Sequence, residues 1–246
     1  MILASNPLFC LRPFEEVMRE IDKNFEGWEF LAEREHGYHN LENIKDALST
    51  TELTVQIHAP FNDLNIASMN PGLREAAIHE IERSYGMAVE LDAEMVTMHP
   101  GVYSPIGRYW DGTEEAAIGS LKRLNEMADD YGVNAAVENM PNLDVTMGVT
   151  PEDMRELLDG SGMPFCLDIG HAYTSGRLDD FLEYEPVNLH IHDNTGDQDV
   201  HLPLGEGEID IEYVIDSLSS YAGNYVIENR SIDDLIESKF SLEELI

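Results

Sequence analysis

Eight short apolar runs recur along this 246-residue chain, and between them lie stretches with the apolar spacing of amphipathic helices. The runs at Met1–Ser5, Trp28–Ala32, Leu53–His58, Met95–His99, Val133–Glu138, Pro164–Asp168, Val187–His190 and Tyr225–Glu228 are expected as strands. Several are rich in Val, Ile and aromatics, as strands of a buried parallel sheet are. The intervening stretches expected as helices are Pro13–Ile21, Leu41–Leu48, Leu73–Tyr85, Glu114–Tyr131, Pro151–Leu158, Leu178–Leu182, Ile211–Ser219 and Ile232–Ser238. Thr113-Glu114-Glu115 and Thr150-Pro151-Glu152-Asp153 read as helix starts, a capping hydroxyl followed by first-turn acids. Strand–helix alternation implies a parallel sheet, and eight units imply closure into a (β/α)8 TIM barrel. No Gly-rich phosphate loop follows the first run, which argues against an open doubly wound sheet. No Pro/Gly/Ser-rich linker divides the chain, so residues 1–246 are expected as a single barrel domain.

The charge balance restricts partners. There are 49 acids against 14 bases, a net charge of −35. Such a field repels phosphate and argues against a large nucleic-acid footprint. A handful of metal ligands cannot account for 49 acids, and the remainder is expected to reflect a salt-rich cytoplasm. No stretch approaches the roughly 18 consecutive apolar residues of a membrane span. The start of the chain lacks a basic segment followed by an apolar one, and the two cysteines, Cys10 and Cys166, read as buried thiols. The expectation is a cytoplasmic location.

Six of the eight strands end on a potential metal ligand: His58, His99, Glu138, Asp168, His190 and Glu228. In a barrel these ends converge on the C-terminal mouth, where barrel enzymes keep their active sites. Imidazole mixed with carboxylate suits Zn, Mn or Fe(II). Taken singly, each His is more often a hydrogen-bonded loop residue than a ligand; six on one rim are hard to explain as structure alone. Three further groups follow in adjacent loops, His171, Asp199 and His201. His36 and His39 lie where they could line the mouth, His79 reads as solvated on a helix, and His192 reads as lying beyond its strand and outside the ligand set.

The segments His58-Ala-Pro-Phe, His99-Pro-Gly, Glu138-Asn, Asp168-Ile-Gly-His171-Ala, His190-Ile-His-Asp-Asn and His201-Leu-Pro-Leu-Gly-Glu-Gly-Glu resemble the xylose-isomerase-like barrel superfamily, which includes endonuclease IV and the sugar-phosphate isomerases and epimerases. The resemblance runs from the third strand onward. By similarity to the endonuclease IV branch, His58 and His99 hold one ion, Asp168, His190 and Glu228 a second, Glu138 bridges the two, and His171, Asp199 and His201 hold a third. That implies two or three divalent ions, zinc first and manganese as the alternative. The isomerase branch needs one ion, on Glu138, Asp168, His190 and Glu228. Its sugar-binding arginine has no counterpart in Asn194-Thr-Gly-Asp-Gln-Asp199, whereas the DNA-gripping segments of endonuclease IV have none before residue 50.

Two activities follow from the resemblance. In a phosphoester hydrolase acting on abasic-site DNA or another phosphodiester, paired ions activate water and Glu138 fixes their separation. Arg108 and Arg230 then clamp phosphate, while Tyr103, Tyr109 and Trp110 stack on sugar or base, although a self-packed loop explains those aromatics equally well. In a sugar or sugar-phosphate isomerase or epimerase, Glu138 and Glu228 form the acid/base pair and His171 binds a sugar hydroxyl. The hydrolase is placed slightly ahead. A non-catalytic metal- or sugar-binding protein is the third class, and substituting Glu138 separates it from an enzyme.

Overall fold

The computed structural model describes residues 1–246 except Pro105 and 107–109. Eight strands form one closed, all-parallel barrel in chain order: β1 Ile2–Ser5, β2 Gly27–Leu31, β3 Thr54–His58, β4 Val96–Met98, β5 Ala135–Glu138, β6 Phe165–Asp168, β7 Asn188–Ile191 and β8 Tyr225–Glu228. Closure is made by β8 on β1, where Ser5 pairs with Glu228 in register.

Side-chain alternation divides each strand between two environments. Trp28 and Phe30, Val55 and Ile57, Val96 and Met98, and Phe165 and Leu167 face outward into the layer beneath the helices. The opposite faces fill the barrel, and that interior is unusually polar: Glu29, Gln56, Thr97 and Asn188 are all buried there, beside a small apolar plug of Met95, Ala136 and Cys166. Because β6 and β7 pair Asp168 with His190, and β3 and β4 pair His58 with Thr97, the ligand-type residues arrive at one level of the mouth.

The helices are α1 Phe14–Ile21, α2 Leu41–Leu48, α3 Pro71–Leu91, α4 Thr113–Tyr131, α5 Pro151–Ser161, α6 Ile169–Thr174, α7 Leu178–Phe181, α8 Ile211–Ser217 and α9 Ile232–Glu243. Thr150 and Asp153 form a reciprocal capping box at α5, as their spacing predicts. At α4 the cap position falls on Gly112, and Thr113 is already helical. The helix expected to stop at Tyr85 runs on through Gly86 to Leu91 and ends where Asp92 turns left-handed at φ 52°. Helix α6 is too short to carry a periodic signal; it begins directly on Asp168, whose carboxylate accepts a hydrogen bond from His171 N. Among the described residues, no helix is long and apolar enough to cross a membrane.

Candidate metal centre

Five carboxylates and six imidazoles meet at the C-terminal mouth. Glu29, Glu138, Asp168, Asp199 and Glu228 make ion pairs, among the described residues, only with histidines. Most of this cluster is buried, and burying so many carboxylates away from lysine and arginine is costly unless cations other than side chains join them.

Glu138 is the hub. Its Oε2 lies 3.3 Å from His58 Nε2 and 3.4 Å from His99 Nε2, while its Oε1 lies 3.1 Å from His190 Nδ1 and 3.4 Å from His171 Nδ1. Burial opposes its charge, yet His190, His58 and His99 hold the carboxyl well below its usual range. Asp199 is likewise held far below the carboxylate range, burial being outweighed by His171 and His201. For His171 burial is outweighed by Asp168, Asp199 and Glu138, which hold its imidazole well above the ordinary value. His99 moves the other way, burial leading, and Phe61 stacks on its ring at 4.6 Å.

The histidine tautomers are set by what each ring touches on its far side. Nδ1 of His58 faces the Ala59 carbonyl at 2.9 Å, that of His171 the Asn139 carbonyl at 2.8 Å, and that of His201 the Glu228 carbonyl at 3.1 Å. A carbonyl only accepts, so each Nδ1 carries a proton and each Nε2 is the nitrogen turned to the mouth, the one a bound ion would use. His190 is reversed: its Nε2 is 3.0 Å from Glu29 Oε1, leaving Nδ1 toward Glu138 and toward Glu228 Oε1 at 3.4 Å. Glu29 Oε2 in turn accepts hydrogen bonds from Thr97 Oγ1 and Asn188 Nδ2.

Four groupings bring ligand atoms within 4.8 Å of one another: His58, His99 and Glu138; Glu138, Asp168 and His171; Glu29, His190 and Glu228; and His171, His192, Asp199 and His201. All nine residues singled out on sequence are therefore at the mouth. The groupings overlap, Glu138 and His171 each standing in two of them, so they gather the nine residues without dividing them among ions. Asp168 Oδ2 and Asp199 Oδ1 are buried with no hydrogen-bond partner, and His201 is held at φ 52°, a left-handed conformation uncommon outside glycine. Donor set, tautomers and orphaned oxygens together fit divalent ions.

Two residues of this cluster escape the sequence reading. Glu29 sits inside an apolar strand, and the signal for it is that a carboxylate in such a run needs a partner. His192, set aside as lying beyond its strand, is fully buried at the mouth because it directly follows β7 and shares the inward face of His190.

The substrate-binding expectations divide. Arg230 is exposed and lines the mouth cavity of about 200 Å³ with Phe61, Met140 and Pro141. Tyr103 does not reach that cavity: its hydroxyl donates to Glu114 on α4, and its loop is pinned by the bridge between Val102 and Thr146. Trp110 stands 45% exposed just before α4 and does not line the cavity either. Arg108 and Tyr109 lie outside the described residues. His36 is buried under Phe14 and Trp28 instead of lining the mouth, and His39 faces a separate cleft of about 520 Å³ beside Glu33 and Arg83. His79 is exposed on α3, as expected.

A closed parallel barrel with an imidazole–carboxylate cluster at the C-terminal ends of its strands defines a class of barrel proteins that carry a candidate metal centre where barrel active sites lie. Residues 22–242 match the family described as the xylose isomerase-like TIM barrel, and the chain belongs to it. The uncharacterized protein MJ1311 of Methanocaldococcus jannaschii is 35% identical, covering 99% of this chain and 88% of that protein. A probable endonuclease 4 of Mycobacterium leprae is 27% identical over 69% of this chain and 70% of its own length. Among solved structures, a D-tagatose 3-epimerase-like protein superposes with a TM-score of 0.92 at 32% identity, covering 100% of this chain and 97% of that one.

Proposed function

We propose that this chain is a metal-dependent phosphoester hydrolase with a multinuclear centre, acting on a small phosphorylated molecule. The observation that carries this reading is Glu138, whose two oxygens face different histidine sets, with a further four-residue grouping alongside. That is more ligand capacity than one ion can take. Bound divalent ions supply Lewis-acid stabilisation of phosphoryl oxygens and acidify water. Glu138 would be shared between two ions, with His58 and His99 holding one and His190 with Glu228 holding the other. Arg230, which lines the mouth and donates to the Asp199 carbonyl at 3.4 Å, would meet a phosphate oxygen with its guanidinium. The mouth cavity of about 200 Å³ suits a small molecule, and the net charge of −35 opposes a DNA polyanion.

A sugar epimerase or isomerase is the second reading. It is favoured by the nearness of Glu138 and Glu228, which lie 3.1 and 3.4 Å from the same His190 nitrogen and line the same mouth cavity, where both could reach one substrate carbon. The resemblance at 32% identity to a D-tagatose 3-epimerase-like protein points the same way.

Metal content per chain, measured by elemental analysis on protein purified without chelators, separates the two. Two or three ions, with phosphate released from small phosphoesters and lost in Glu138→Gln, is the result expected. One ion, with solvent deuterium entering a ketose during turnover, overturns the hydrolase in favour of the epimerase.

A further inference from the structure

We infer that His192 is a fourth protein ligand, completing with His171, Asp199 and His201 a closed metal site that anchors the mouth and does not bind substrate. The inference rests on the reading of the mouth as a metal centre, and extends it to a residue with no assigned role there.

His192 is fully buried, and its Nε2 has no hydrogen-bond partner. Its Nδ1 lies 3.3 Å from the Asp193 carbonyl and so carries a proton, which makes Nε2 the nitrogen available to an ion, the same far-side anchoring as in His171 and His201. That nitrogen is 3.5 Å from Asp199 Oδ1, itself without a hydrogen-bond partner, and 3.3 Å from Asp168 Oδ1. Nε2 of His201 and of His171 approach the other Asp199 oxygen at 3.1 and 3.4 Å. Three imidazole nitrogens thus surround one carboxylate, with all four ligand atoms within 4.8 Å of one another. The rings of His192 and His201 stack at 3.9 Å and 14°, so one of them must rotate for both Nε2 atoms to reach one ion.

The surrounding chain is shaped to this ring. A β-carbon on Gly170 would stand 2.0 Å from His192 Cε1 and 2.4 Å from Nε2, so the imidazole occupies the space a side chain there would fill. Asn194 donates from Nδ2 to the Gly170 carbonyl and holds that backbone against the ring.

The consequence is a division of labour. Sites that keep three protein ligands leave a position open for water or substrate, whereas four-ligand tetrahedral sites are structural. A His3Asp set therefore ties α6, the end of β7 and the loop carrying Asp199 and His201 into one unit. Lewis-acid chemistry would then be left to ions held at Glu138.

The test uses the full chain loaded with Co(II), whose tetrahedral complexes absorb intensely in the visible. The wild-type protein is expected to show those bands. In His192→Asn they are lost, and the ion is bound more weakly by over about 100-fold, beyond what losing an outer hydrogen-bond partner costs. His192→Cys provides a second readout, because a thiolate bound to Co(II) adds a near-ultraviolet charge-transfer band that arises only if residue 192 touches the ion. Unchanged bands and affinity in His192→Asn, or no charge-transfer band in a folded His192→Cys, overturns the inference. The ion count of wild-type protein tests the multinuclear reading separately. If a single ion is bound and His192→Asn releases it while Glu138→Gln retains it, the fourth ligand stands and the multinuclear hydrolase falls.

Discussion

Glu29 illustrates how a residue remote from substrate can decide which atom of its neighbour is usable. Its Oε2 already accepts from Thr97 and Asn188, so its Oε1 is free to take the His190 Nε2 proton. In Glu29→Gln the amide oxygen keeps the first two partners and the NH2 group turns toward His190. The ring must then accept at Nε2 and carry its proton on Nδ1, the nitrogen that faces Glu138 and Glu228. Affinity for the ion at that position is expected to fall roughly 10–100-fold in a chelator competition, with the fold retained; unchanged affinity refutes the tautomer argument. His36 gives the pH counterpart, away from the mouth. Burial among Phe14, Trp28 and Phe30 pushes its pKa down to about 4. As pH falls below about 6.5 the unfolded chain takes up this proton while the folded chain does not until about 4, so stability is lost across that window. The contribution is at most about 3.5 kcal/mol, since each pH unit across such a window is worth roughly 1.4 kcal/mol. His36→Phe removes the site, so the stability difference between wild type and variant should shift in that direction between pH 7 and pH 4. A pH-independent difference contradicts it.

At the scale of elements, the connection after β7 is organised by one carboxylate. Asp193 accepts from the backbone N–H groups of Asn194, Gly205, Gly207 and Ile209 at 2.8, 3.0, 2.9 and 3.1 Å, and pairs antiparallel with Leu202. Replacing it by Asn leaves some of these donors facing an NH2 group. The expected loss is on the order of 2–3 kcal/mol, a melting temperature lower by roughly 5–10 °C, with weaker metal retention by Asp199 and His201. The two glycines of Leu204-Gly-Glu-Gly207 have different reasons to be glycine. Gly205 has φ 93° and open space around it, whereas a β-carbon on Gly207 would stand 2.2 Å from Asp193 Oδ1. Gly207→Ala is therefore expected to destabilise more than Gly205→Ala; the reverse order in thermal melts removes this account of the turn. The same element shows why part of the site is legible in sequence and part is not. Asp199 and His201 stand out because ligand-type residues cluster in a loop next to a strand. His192 is harder, because whether the residue after a strand faces in or out depends on where pairing stops. Strand positions such as Tyr225–Glu228 are readable because each apolar run ends abruptly on a charged or imidazole residue. The extension of α3 past Gly86 is not, since a helix tolerates an interior glycine when its neighbours pack. That Tyr103 stands away from the mouth cavity has a tertiary cause, its hydroxyl being drawn to Glu114.

For the whole molecule the governing quantity is charge. Even if each of the 14 bases paired with one acid, 49 acids leave 35 unmatched, and only Glu29, Glu138, Asp168, Asp199 and Glu228 are drawn into the mouth. Several cations are already committed, Arg12 to Glu16 and Glu20, Arg123 to Glu75, and Arg177 to Glu152 and Asp180. Such exposed pairs contribute little each and weaken with salt, by themselves predicting a modest loss of stability in brine. Repulsion among the unmatched acids acts in the opposite sense and over more pairs. The screening length falls from roughly 30 Å at 0.01 M to roughly 3 Å at 1 M, so salt removes most of that repulsion. The balance predicts a melting temperature that rises steadily from low to molar KCl. The proposed metal centre supplies the control, because bound ions would neutralise the inward carboxylates and leave the outward ones as they were. Chelator-treated protein should therefore melt lower at every salt concentration yet keep the upward slope. A slope that disappears on chelation assigns the effect to the mouth, and a melting temperature independent of KCl in both forms refutes adaptation of the acidic surface to a salt-rich interior.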